Sequence, residues 1–68
     1  MTADDFTLVV DEDGYKKWKS DKFVIAKYRY WYNTVEGEYF VAYDINSNRI
    51  NHIPVGSFDE ALALCKEY

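Results

Sequence analysis

One cysteine, one proline, one histidine and three glycines among 68 residues exclude several kinds of protein at the outset. A lone Cys65 can form neither an intramolecular disulfide nor a multi-cysteine zinc site, and it points to a reducing, cytoplasmic setting. His52 is the single imidazole, and no nucleophile or second base in the sequence marks it as catalytic. Gly14, Gly37 and Gly56 are too isolated to build a phosphate-cradling loop. No apolar run approaches the roughly 18 residues a membrane span requires. The first ten residues contain Asp4 and Asp5 and no base, unlike a secretory signal. The expectation is a non-enzymatic protein without cofactor, metal site or membrane contact.

Aromatic side chains, by contrast, are abundant: seven Tyr, four Phe and two Trp make up 19% of the chain. That content suits a folded core rather than disorder. A chain of this length holds one domain, residues 1–68, and buries only about 60% of its unfolded surface, so its stability is narrow. The charges are sorted along it. Met1 to Tyr15 carries five acids and no base, Lys16 to Tyr30 six bases and one acid, and Trp31 to Tyr68 six acids and two bases, for a net charge of −4. Blocks of one sign focus a field that random mixing would cancel, and so suggest a charged partner.

Alternation sets the strands. Phe6 to Val10 is a short β-type run closed by Asp11-Glu12-Asp13-Gly14. That acidic turn faintly resembles a calcium loop but lacks its spaced ligands and distal glutamate, and reads as a solvated turn. Tyr15 and Trp18, three apart, suggest a turn of helix over Tyr15 to Asp21. Phe23 to Tyr32 alternates Val24, Ala26, Tyr28, Tyr30 and Tyr32 against Phe23, Ile25, Lys27, Arg29 and Trp31. Glu38 to Asp44 repeats the pattern, with a hairpin turn expected at Glu36-Gly37 and Gly37 at positive φ. That turn pairs Asp44 with Arg29, or with Lys27 if the loop is looser. Arg49 to Val55 reads as a further strand, at an edge because of Pro54.

Ser57-Phe58-Asp59-Glu60 is a capping box, and Phe58, Ala61, Leu62, Cys65 and Tyr68 follow on one helical stripe. The stripe is expected on the Val24/Ala26/Tyr28 face. The fold class is therefore α+β: a three-stranded antiparallel sheet, four-stranded if Phe6 to Val10 joins it, with one C-terminal helix on a face.

Two surfaces could carry function. Lys27, Arg29 and Trp31, with Phe40 adjacent, could contact phosphates and stack on a base. Asp11, Glu12 and Asp13, with Glu36 and Glu38 as a spatially separate set, could offer carboxylates to a protein site that binds phosphates. Trp31 through Cys65, ending in Gly56-Ser57-Phe58-Asp59-Glu60-Ala61, resembles the N-terminal arm-binding domain of phage-type tyrosine recombinases, which implies a DNA-binding sheet face. Those domains are basic, whereas Arg49 is the only base between Arg49 and Val55. In size, acidity and aromatic content the chain also resembles anti-CRISPR proteins, small acidic domains of phages and mobile elements. That resemblance implies a monomeric inhibitor in the host cytoplasm. It would block the basic nucleic-acid groove of a host protein complex as a DNA mimic, without binding nucleic acid itself. Its expected contact residues are Asp11, Glu12, Asp13, Glu36, Glu38, Trp31 and Phe40.

Overall fold

Tyr15 and Trp18 project from opposite faces of an extended strand, because residues three apart alternate sides when the backbone period is two. The computed structural model describes every residue from Met1 to Tyr68. After a single 3-10 turn at Ala3–Asp5 come β1 (Thr7–Glu12), β2 (Tyr15–Lys19), β3 (Phe23–Tyr28), β4 (Tyr39–Asp44) and α1 (Phe58–Glu67). The four strands form one antiparallel sheet in the order β1-β2-β3-β4, and α1 packs on it against β4 and β3. The molecule is thus the expected α+β domain, with four strands and one C-terminal helix. No helix is long and apolar enough to cross a membrane.

The strands differ from the sequence reading: β1 runs on through Asp11 and Glu12, β3 ends at Tyr28 instead of Tyr32, and two further segments change class. Within the Tyr15 to Asp21 segment, Tyr15–Lys19 is β2 instead of a helical turn. Its alternation sends Tyr15 onto the Tyr28 ring at 5.2 Å and Trp18 onto Phe40 and Phe58 at 6.2 and 5.2 Å. Three aromatic contacts on two faces outweigh the weak helical spacing. The Arg49 to Val55 segment, conversely, is not a continuous strand. It touches β4 through isolated bridges, Tyr43 to Arg49 and Phe40 to Val55. Between them the Asn51 side chain takes the place of a peptide unit: Oδ1 accepts from Ala42 N at 2.8 Å and Nδ2 donates to Phe40 O at 3.2 Å.

The β3–β4 hairpin also departs from both expected registers. Asp44 lies opposite Phe23, and Lys27 opposite Phe40, so residues 29–38 form a wide loop instead of a tight turn. Positive φ falls on Tyr32 within that loop, at 55°, and not on Gly37. The loop is held by its own bonds, Trp31 N to Thr34 Oγ1 at 3.0 Å and Tyr39 Oη to Val35 O at 2.6 Å, which replace the strand pairing that a two-residue turn would have made. The face alternation survives because the slip is by an even number of residues.

The helix sits on the face opposite to the one expected. Its buried Ala61, Leu62 and Cys65 join Phe6, Phe23, Ile25, Phe40 and Ala42 in one core, with partly buried Trp18, Ile50, Val55 and Phe58 around the margin. Those strand residues present larger apolar volume than Val24, Ala26 and Tyr28 and carry no hydroxyl, so they gain more from full burial. On the other face Ala26 and Val41 are 1% and 0% exposed without any helix above them. Half-buried Tyr15, Tyr28 and Tyr43 share that face, with Tyr28 Oη and Tyr43 Oη 3.3 Å apart. Tyrosine suits such a face because its ring covers apolar surface while its hydroxyl stays within reach of water.

The helix start matches its sequence signature in one half. Ser57 Oγ accepts from Glu60 N at 3.2 Å, and the Ser57 hydroxyl lies 3.2 Å from the Glu60 carboxylate, which bonds it in place of the Ser57 amide.

Candidate functional site: an acidic cleft beside an aromatic groove

The β1–β2 turn is two residues long, Asp13-Gly14, since Glu12 lies opposite Tyr15. Gly14 takes φ +84°, a conformation that strains any residue with a Cβ. Its carbonyl accepts from Arg29 N at 3.0 Å, which draws the first residue of the β3–β4 loop against the β1–β2 turn. At the far side of the loop, Gly37 N donates to Arg29 O at 2.9 Å. Arg29 therefore joins two segments through its backbone before its side chain is considered.

The side chain completes the junction. The Arg29 guanidinium bonds Asp13 through Nη2 and lies 3.5 Å from Glu36 through Nε. Its hydrogen bond to Asp13, reinforced by the charge of Glu36, raises the guanidinium pKa further above its already high value. Lys16 pairs with Asp11 at 3.5 Å and Lys27 with Glu38 at 3.3 Å. An open cleft of about 480 Å3 is lined by Asp11, Glu12, Asp13, Glu36 and Glu38 together with Lys16, Lys27 and Arg29. Five carboxylates thus face three bases, and each base has an acidic partner. Glu12 has no ion pair.

The two acidic sets expected to lie apart are therefore walls of one cleft. The sequence spacing of Asp13 and Glu36 hides this, because the contact depends on the wide β3–β4 loop folding back onto the β1–β2 turn. Part of the charge sorting along the chain is also accounted for internally: acidic β1 lies beside basic β2, with Asp11 opposite Lys16. Such exposed pairs contribute little stability individually.

Trp31 and Phe40, the two aromatic contact residues expected beside Lys27 and Arg29, are placed differently. Phe40 is only 6% exposed and belongs to the core beneath α1, so it offers no free ring to a partner. The cause is its position opposite Lys27, two pairs along from Ile25 and Ala42 and so on the same helix face. Trp31 leaves that face altogether and packs on Tyr28 at 5.5 Å and Tyr32 at 5.1 Å, with the Arg49 guanidinium 5.2 Å from its ring. The continuous Lys27/Arg29/Trp31 stripe therefore does not form: the strand ends at Tyr28 and the chain turns after it.

A second concavity, about 410 Å3 in volume, adjoins the cleft. Ala3, Phe6, Trp18, Phe40 and Phe58 line it, and Lys16 and Lys27 lie on the boundary shared with the acidic side. Sequence reasoning missed this groove because Trp18 enters it only when Tyr15–Lys19 is a strand. The remaining chemistry-bearing residues stand elsewhere. His52 is exposed, and Cys65 is 2% exposed under the helix, where burial raises its thiol pKa. On the opposite face burial, together with the Tyr43 hydroxyl, pushes the Tyr28 phenol well above its ordinary range.

No protein-family model matches this chain, and neither a curated protein nor a solved structure is significantly similar to it.

Proposed function

We propose that this protein acts by binding, as a small acidic inhibitor of the anti-CRISPR kind that presents the Asp11/Glu12/Asp13/Glu36/Glu38 cleft to the basic nucleic-acid groove of a protein complex. The observation that carries the reading is the convergence of five carboxylates from two distant segments onto one open cleft. Clustered carboxylates offer a groove built for phosphates the same charge and the same acceptor oxygens. The net charge of −4 steers encounter with such a groove and opposes contact with nucleic acid itself. The exposed His52 and the buried, hard-to-ionise Cys65 are poorly placed for catalysis, which favours a binding role. On this reading the inhibitor works as a monomer in the cytoplasm of a host cell.

The alternative, a DNA-binding arm domain, draws less support. It requires Lys27, Arg29 and Trp31 on one strand face, whereas the strand ends at Tyr28 and Trp31 packs on the Tyr28 and Tyr32 rings away from that face.

Charge reversal tests the proposal. Partner capture should weaken with Asp11→Lys/Glu12→Lys/Asp13→Lys and to a comparable degree with Glu36→Lys/Glu38→Lys, since both sets line the same cleft. Undiminished capture by both variants would leave the acids as solubilising charge. A DNA band shift at micromolar protein and physiological salt would favour the arm-domain reading instead.

A further inference from the structure

The two edges of the sheet are treated differently. The outer edge of β4 is covered: Phe40 and Val55 exchange backbone bonds at 2.8 and 2.9 Å, Ile50 N donates to Ala42 O at 2.8 Å, and Asn51 satisfies Ala42 N. At the other edge, β1 spans six residues, Thr7–Glu12, and its only strand partner is β2. None of the backbone bonds made outside the sheet ladders and the helix involves a residue of β1. In an antiparallel edge strand alternate residues direct N–H and C=O outward, so this edge is an open template for another strand. Its centre is apolar as well as bare: Leu8 is 42% exposed and Val9 51% exposed.

We infer that the β1 edge is a docking strand for an extended, basic segment of a partner protein, added as a further strand of the sheet. Charge selects this occupant. Asp4 and Asp5 precede β1, Asp11, Glu12 and Asp13 end and follow it, and no base lies between Met1 and Tyr15. The strand already paired with β1 is basic too, and its Lys16 lies opposite Asp11 and pairs with it at 3.5 Å. A second copy fits poorly. Antiparallel self-pairing centred on Val9 would bring Asp5 opposite Asp13, and parallel in-register pairing would stack Asp11 and Glu12 on themselves; like charges directly opposite are unfavourable. Backbone bonds along the edge would supply attachment, and basic side chains flanking a small apolar centre would supply selectivity.

This inference concerns the strand edge and holds whether or not the acidic cleft enters a nucleic-acid groove. The probe is an acetylated, amidated peptide of alternating Lys and Val, matched in length to β1, titrated into the intact protein while backbone amide shifts are followed. The expected result is saturable binding, with the largest shifts in Thr7–Glu12 and loss of about tenfold or more in affinity when alternate peptide amides are N-methylated. Val9→Lys should weaken binding by like charge at an exposed position. Glu36→Lys/Glu38→Lys, which alters the cleft but not the edge, should leave the shift pattern on β1 in place. Equal binding of the N-methylated peptide, or shifts confined to the cleft residues of the β3–β4 loop, would overturn the inference. So would self-association through β1 in the absence of peptide.

Discussion

Arg29 lies 3.5 Å from Glu36 through Nε while its Nη2 bonds Asp13, so one guanidinium spans the β1–β2 turn and the β3–β4 loop. The arrangement converts two segments more than twenty residues apart into one acidic surface. Replacing Arg29 with Ala should leave the backbone bonds of Arg29 to Gly14 and Gly37 intact and so preserve the fold. The loop should nevertheless loosen, read as faster amide exchange across residues 30–38 than in the parent protein. Unchanged exchange there would mean that the loop is held by the backbone bonds of residue 29 and its internal bonds at Thr34 and Val35, without the guanidinium.

The helix cap gives a sharper stability test. Ser57→Ala removes the acceptor that Glu60 N uses, and should cost about 0.5–2 kcal/mol. In a domain of this size each kcal/mol lowers the melting temperature by about 4–8 °C, so the change is readily seen in a thermal melt. Ser57→Asp should recover most of the loss.

Asn51 supplies a second. Its amide stands in for a missing strand residue beside β4, and Asn51→Leu would strip Ala42 N of its acceptor, while Phe40 O keeps the bond from Val55 N. Leaving such a donor unpaired costs about 1–3 kcal/mol, and the loss should exceed that of Asn51→Asp, which keeps an acceptor for Ala42 N. Equal melting temperatures for the two variants would contradict the role assigned to this side chain.

These elements show how far the sequence reaches. The strand alternation of β3 and β4 and the Ser57 cap were legible because each depends on residues close in the chain. The helix stripe was legible too, but not the face it covers: both faces of β3 are apolar, and the choice rests on Phe40 and Ala42 arriving from β4. Asn51 carries no strand signal at all, since its contribution comes from a side chain imitating backbone. The five acidic residues could be named from the sequence, whereas their union in one cleft follows from a ten-residue loop whose fold is fixed by Trp31, Thr34 and Tyr39.

Acid and alkali should act through different groups. Asp44 accepts from the backbone of Asn48, the Asn48 side chain, the backbone of Asn46 and the Tyr68 hydroxyl, and these bonds lower its pKa. A carboxylate whose folded pKa is depressed contributes stability above its unfolded value, about 3.9, and loses it as pH falls through the folded value. The stability lost between neutral and low pH should therefore be smaller in Asp44→Asn than in the parent. Tyr28 behaves oppositely: its raised phenol pKa contributes stability that is complete below about pH 10 and is lost as pH rises further. Alkaline melts of Tyr28→Phe should show a weaker pH dependence than the parent.

The central claim, that the acidic cleft occupies a groove made for nucleic acid, is tested most directly by competition. A nucleic-acid-binding complex identified by capture on the immobilised protein is prepared free of it and loaded with fluorescently labelled nucleic acid, and anisotropy is followed as the acidic protein is added. The account predicts that label is released in proportion to inhibitor bound, that release weakens as salt is raised, and that Asp11→Lys/Glu12→Lys/Asp13→Lys abolishes it. A ternary complex that keeps its labelled nucleic acid at saturating inhibitor would contradict the account.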